Sequence, residues 1–154
     1  MFKVRKYKMY NGRSVGSTEA LLSFDSALIE AGVSNYNLVR VSSILPPNFS
    51  YCSELDVLHG DVLFTAYSAI TEKGAGVISA AIAVGIPSHA SNVGVIMEHS
   101  CNDVAKVSES KVRDMVVKAM RARDLDIKEI LSSSVEIELV QDSYATAISG
   151  IALW

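Results

Sequence analysis

Between residues 61 and 100 three apolar stretches follow one another, Val62 to Ile70, Val77 to Ile86 and Asn92 to Met97, divided only by Gly74-Ala75-Gly76 and by a break at Pro87-Ser88. Parallel neighbours need a crossover of a dozen or more residues, usually helical, and these breaks are too short to hold one. Each stretch reads as a buried strand, with the Gly-Ala-Gly break as a simple reversal. The middle stretch, ISAAIAVGI, is rich enough in alanine that a helix stays open there.

Only two other segments carry a helical period. Ser17 can cap a helix over about 18 to 31, with Glu19 in its first turn, Leu21, Phe24, Leu28 and Ala31 on one stripe, and Gly32 to end it. Asn102 or Asp103 can cap a second, which places Val104, Val112, Met115, Val116, Ala119 and Met120 on one side and ends near Arg123. Most of the remainder reads as extended. Phe2, Val4, Tyr7 and Met9 interleave with basic residues up to a turn at Asn11-Gly12, and Tyr36 to Val41 runs on towards Pro46-Pro47. Val135 to Val140 alternates strictly, and Tyr144 to Trp154 is a last apolar run; residues 48 to 60 read as an irregular connection. Two helices and about seven strands, with the strands clustered in runs, imply an α+β fold of mainly antiparallel sheets covered by helices.

A chain of 154 residues with 49% hydrophobic and 20% charged residues can bury one sizeable core, so a single domain over 1–154 is expected. A formal net charge of -3 leaves no cationic surplus for a nucleic-acid surface. The one local basic cluster, Lys3, Arg5, Lys6 and Lys8, reads as the solvated side of an edge strand. Cys52 and Cys101 cannot build a disulfide framework, and neither stands at metal-ligand spacing with His59, His89 or His99, so no metal is expected. No uncharged apolar run reaches bilayer-spanning length, and the N-terminus alternates instead of forming a signal-peptide core. The expected compartment is a reducing cytoplasm.

The sequence has no Gly-x-Ser-x-Gly elbow, no Gly-x-Gly-x-x-Gly, no phosphate-binding loop and no His-Glu-x-x-His. The serine pair Ser42-Ser43 means little taken alone, since Ser132-Ser133-Ser134 is a longer run with no obvious role, but it stands within NYNLVRVSSILPP, residues 35–47. This stretch resembles the self-processing segment of the pyruvoyl-dependent arginine decarboxylases. FDSALIEAG at 24–32 resembles the helix that precedes it in that family, GVIME at 94–98 resembles its catalytic-acid strand, and the closing Ala-Leu-Trp at 152–154 is similar as well. The likeness runs in family order over most of the chain from about Ser17 onward.

The resemblance implies an αββα sandwich and a chain that cuts itself between Ser42 and Ser43 into a β chain of residues 1–42 and an α chain of residues 43–154. Ser43 would attack the carbonyl of Ser42; the ester eliminates to leave dehydroalanine, which loses ammonia to become a pyruvoyl ketone. That ketone can form a Schiff base with a substrate amine and accept the electrons left when carbon dioxide departs, in place of pyridoxal phosphate. By the same resemblance Glu98 is the proton donor, its pKa raised by burial, and Asn37 assists self-processing by hydrogen bonding to the developing oxyanion. Asp25 would take the substrate guanidinium in bidentate fashion, while Leu21, Leu28 and Ile44 contact its aliphatic stem. The implied reaction is arginine to agmatine, a step towards polyamines, in a homo-oligomer, a trimer or dimer of trimers, with sites between protomers and no membrane or nucleic-acid partner.

Without the resemblance the same residues read more plainly. Glu98 then opens a solvated loop, Asn37 serves a nearby backbone group, and Asp25 is an exposed helical carboxylate. A pyruvoyl enzyme for another amino acid, or a relative that never cleaves and serves in binding or assembly, also stays open.

Overall fold

The computed structural model describes residues 4–154. In chain order its elements are β1 (Lys6–Ser17), α1 (Ala20–Ala31), β2 (Asn37–Arg40), β3 (Ile44–Leu45), β4 (Ser50–Tyr51), β5 (Val62–Lys73), β6 (Val77–Pro87), β7 (Gly94–Cys101), α2 (Ala105–Arg121), β8 (Ile127–Glu138) and β9 (Tyr144–Leu153). The three central apolar stretches are β5, β6 and β7. One sheet has the order β2-β5-β9-β1-β4 and the other β3-β7-β6-β8. All neighbours are antiparallel except the short pairings β2 with β5 and β1 with β4. Helix α1 packs on β1, β9 and β5, α2 packs on β6, β7 and β8, and the two sheets face each other. The architecture is the expected α+β fold in four layers, αββα.

The alanine-rich stretch is strand, not helix. As β6 it lies between β7 and β8, and nearly all of it is buried on both faces. Such a strand loses the polar alternation that would have declared its type. Its Ala81 and Ala83 are small enough to seat α2 through Val112, Val116 and Met120.

Several boundaries move for tertiary reasons. Asn11-Gly12 is not a turn: β1 continues through it to Ser17, paired to β9 throughout, and bends at a bulge around Gly16 (φ 89°). Gly12 is needed for close approach, since a Cβ there would lie 2.0 Å from the Ala27 carbonyl oxygen of α1. Gly12→Ala is therefore expected to destabilise the fold by about 1–3 kcal/mol, the usual cost of overpacking, read as a lower urea midpoint with an unchanged slope.

Helix α1 starts at Ala20, with Glu19 as N-cap and no side-chain cap; the Ser17 hydroxyl donates to the Glu19 carbonyl instead. It ends as expected at Gly32 (φ 73°), whose N–H reaches the Ile29 carbonyl while Val33 N–H reaches Leu28. Its buried positions are Ser23 and Ala27, and Leu21, expected on the buried stripe, is 75% exposed. Small residues win that face because the helix sits close on the sheet, where Ser23 Oγ meets Thr146 Oγ1 at 2.8 Å. Helix α2 is likewise not capped by Asn102 or Asp103; Val104 holds the N-cap position, and Glu136 of β8 accepts the Ala105 N–H at 2.6 Å.

Strand β8 also begins well before Val135. The serine run 132–134 lies inside it, with Ser132 and Ser134 donating to Glu109 of α2 at 2.7 and 2.8 Å. Ser133 points the other way, accepting from Asn11 Nδ2 at 2.5 Å, so a polar seam crosses the space between the sheets. The segment 48–60 contains the short β4, which with the two-residue β3 raises the strand count to nine among the described residues. Because β4 lies beside β1, Lys6 is not on a bare edge; it pairs with Asp56, which also accepts from Trp154 Nε1. Phe2 and Lys3 lie outside the described residues. No helix among those residues is long and apolar enough to cross a membrane.

Candidate active site

Strands β2 and β3 belong to different sheets, on β5 and β7 respectively, so residues 41–43 form a strap that crosses from one sheet to the other. Both ends of the strap are tied. Val41 N–H donates to Thr65 O one residue past β2, and Ile96 N–H donates to Ser43 O one residue before β3, each at 2.9 Å. The prolines after Leu45 stop β3 at two residues, because they bring no N–H to the ladder. Within the strap Ile44 N–H donates to Ser42 O at 3.0 Å, which closes a three-residue turn around Ser43. Ser42 is exposed and Ser43 half-buried.

Glu98 belongs to β7, on the same side as Ile96, the side that meets the other sheet. It begins no loop. Its side chain is 19% exposed, with Oε1 3.7 Å from Arg40 Nη2. Its Oε2 is buried and has no hydrogen-bond partner. Burial raises the Glu98 pKa above the ordinary 4.5, and the Arg40 guanidinium opposes that rise. Arg40 closes β2, and past that point the Tyr67 carbonyl of β5 has no β2 partner; Arg40 Nη2 donates to it at 2.7 Å. The guanidinium carbon also stands 4.8 Å from the Tyr67 ring centroid.

Ser42, Ser43, Ile44 and Glu98 thus share one corner of the sandwich, joined through Ile44↔Val95 and the Ile96 to Ser43 hydrogen bond. The other expected site residues lie elsewhere in the same chain. Asn37 opens β2 opposite Val62, at the far end from Ser42, and its amide donates to Gly60 O at 2.6 Å. Asp25 and Leu21 are exposed on α1, beside the exposed Leu22 and Ile29. Leu28 is half-buried beneath that helix with Tyr36 and Leu38. Phe24 reaches from α1 towards the corner, its ring 6.4 Å from that of Tyr67. A cleft of about 230 Å³ lined by Tyr7, Leu45, Pro46, Phe49 and Lys128 lies beyond β3 and includes neither Ser43 nor Glu98.

The sequence reading passes over Arg40 and Tyr67. Its only signal for Arg40 is a cation closing a largely apolar strand two residues before the serine pair. Nothing in spacing reveals that β5 and β7, 31 residues apart at Tyr67 and Glu98, come together there.

A family model described as pyruvoyl-dependent arginine decarboxylase matches residues 6–154. Among curated relatives, a protein of Methanocaldococcus jannaschii is 36% identical over 144 residues, covering 93% of this chain and 86% of its own. One from Methanococcus aeolicus is 35% identical over 135 residues, 87% of this chain and 81% of its own. One from Pyrococcus furiosus is 33% identical over 153 residues, 97% and 95%. All three are named pyruvoyl-dependent arginine decarboxylase.

Proposed function

The chain belongs to the pyruvoyl-dependent arginine decarboxylase family and is a decarboxylase; we propose that it cuts itself between Ser42 and Ser43 and then converts L-arginine to agmatine and carbon dioxide. The observation that carries this reading is the buried, unpartnered Oε2 of Glu98 in the same corner as Ser43, reached through the hydrogen bond from Ile96 to Ser43 O. An orphaned acid beside the serine strap fits a group made from Ser43 itself.

Self-processing begins when Ser43 Oγ bonds to the Ser42 carbonyl carbon. The bond from that carbon to Ser43 N breaks, and the nitrogen takes up a proton. Ile44 N–H, already on Ser42 O, would stabilise the negative charge that develops on that oxygen. Loss of the Ser43 α-proton then expels the Ser42 carboxylate from the β-carbon. Water replaces the resulting enamine nitrogen as ammonia, leaving a ketone at the head of residues 43–154. The two strap anchors hold both new ends on their own sheets.

When present, the pyruvoyl group supplies an electrophilic carbonyl that can bind the substrate amine and take up the electrons released with carbon dioxide. The residues supply the rest. Protonated Glu98 delivers a proton to the substrate α-carbon, a role its raised pKa suits. Ile44 contacts the substrate stem. Asp25 with Leu21 and Leu28, and Asn37 in processing, would act on the corner of a neighbouring copy, since within one chain Asp25 is solvent-facing and Asn37 is at the wrong end of β2. A homo-oligomer with shared sites, trimer or dimer of trimers, follows from that reading.

Intact mass under denaturing conditions tests it, comparing the parent chain with Ser43→Ala. The parent should give two pieces, residues 1–42 and a ketone-bearing 43–154, and the variant one uncut chain without activity. A parent that stays whole after long incubation would withdraw the enzymatic assignment in favour of a binding or assembly role. A cleaved parent that releases carbon dioxide faster from another amino acid would retain the chemistry and change the substrate.

A further inference from the structure

We propose that Arg40 is a positioning residue for Glu98, pinned on Tyr67 so that it orients the proton donor from the other side of the cleavage point. The inference rests on the assignment of Glu98 as proton donor. Three contacts fix the guanidinium: the 2.7 Å hydrogen bond to Tyr67 O, the Tyr67 ring face at 4.8 Å, and Glu98 Oε1 at 3.7 Å. The last is too long for a hydrogen bond and acts as a charge contact. One carboxylate oxygen is thereby drawn towards Arg40, and Oε2 is left buried and unpartnered, free to face a reacting group.

The arrangement spans the two pieces that cleavage would produce. Arg40 lies in residues 1–42, whereas Tyr67 and Glu98 lie in 43–154. Parallel pairing of β2 with β5, ending at Arg40↔Thr65, holds Arg40 in place when the chain is cut two residues later. The short piece is then more than a leaving fragment: Arg40, third from its new end, conditions the acid of the long piece.

Few other charges face Glu98. Its pair on β6 is the uncharged Ile82, and the face of β5 that meets the other sheet brings the uncharged Ala66 and Ser68, while the Tyr67 ring lies on the opposite face with Phe24 of α1. His99 lies on the opposite side of β7, among Asp103, Lys106, Lys111 and Asp114 of the α2 end. Cleavage adds one more group, the Ser42 carboxylate. Arg40 opposes the rise that burial imposes on Glu98, so its removal must move Glu98 titration to higher pH.

Two readouts test the assignment on Arg40→Gln and Arg40→Lys, with Arg40→Met as a second neutral variant; the Arg40 side chain is 58% exposed, so folding should survive. In uncleaved Ser43→Ala chain, the Glu98 carboxyl carbon is followed by NMR, with the signal identified by its loss in Glu98→Gln. Arg40→Gln should shift its midpoint to higher pH, and Arg40→Lys should leave it close to the parent. In processed enzyme, activity falls as Glu98 deprotonates, so the alkaline limb of kcat should move up in Arg40→Gln and return in Arg40→Lys. The ratio of variant to parent kcat then rises with pH, while KM for arginine changes less than about twofold, as for an interaction made with the acid and not with bound substrate. A pH-independent loss of kcat together with an unmoved carboxyl titration would overturn the proposal, leaving Arg40 a structural tie. If the parent shows no decarboxylation, the assignment of function fails and the carboxyl titration alone decides whether Arg40 conditions Glu98.

Discussion

Glu98→Gln is expected to leave the chain cut between Ser42 and Ser43, to lower arginine decarboxylation by about 10²–10⁴-fold, the usual contribution of a positioned general acid, and to raise the thermal midpoint at pH 7. The first two outcomes separate proton donation from self-processing, which the mechanism assigns to Ser43 and the strap. The third follows from linkage. In the unfolded chain Glu98 ionises near 4.5, and in the folded chain burial delays ionisation to higher pH. The folded state therefore loses stability relative to the unfolded one as pH rises from the unfolded pKa through the folded pKa. Glutamine keeps the shape and does not ionise, so the two proteins should melt alike in acid and diverge as pH increases. The gain grows with pH until Glu98 is ionised in the folded state as well, and its size is set by how far burial separates the folded and unfolded pKa values. Circular dichroism melts at a series of pH values, with a stopped assay for agmatine, check both sides. Full activity in the glutamine variant would move the proton donor elsewhere.

Asp25→Asn is expected to lower kcat/KM for arginine by about 10–100-fold, mostly through KM, because a hydrogen bond to a charged partner is worth about 1.5–3 kcal/mol. Its placement makes a sharper test available. Asp25 is exposed on α1, and Ser43 lies in the strap between the sheets, so the proposed site needs Asp25 from one copy and Ser43 from another. Co-expressing Asp25→Asn with Ser43→Ala should then restore activity at low arginine concentration, since random assortment makes about a quarter of head-to-tail interfaces wild type at both positions. Were both residues to serve from one chain, the mixture would be no better than its Asp25→Asn component. Sedimentation of the purified mixture shows whether hetero-oligomers formed.

Much of this architecture is legible in one dimension. Short breaks between β5, β6 and β7 exclude crossover helices, Gly32 ends α1 because an αL residue is needed there, and the strict alternation of Val135 to Val140 marks the end of β8. The serine pair, with Pro46-Pro47 closing the strand after it, points to the candidate corner, and Glu98 lies in the strand that its resemblance assigned. What the sequence could not declare was set by contacts between distant segments. Asn11-Gly12 has turn chemistry, yet β9 pairs it as strand and α1 presses on the glycine. Ser17 and Asp103 have cap chemistry, yet Glu19 and Val104 take the cap positions and Glu136 supplies the bond to α2 from another strand. Leu21 has the helical period of a core residue, yet Ser23 and Ala27 face the sheet because a small stripe allows close approach.

The sequence by itself determined the kind of fold, because periodicity, proline and glycine act on the local backbone, and its resemblance to a family marked the segment where chemistry is sought. Only the tertiary structure decided which groups meet: the strap leaves one sheet for the other between Val41 and Ser43, and its neighbours there are Arg40, Tyr67 and Glu98 from three different strands. Proton affinity belongs to the second category, since the burial that raises Glu98 and the cation that restrains it exist only once β2, β5 and β7 are side by side.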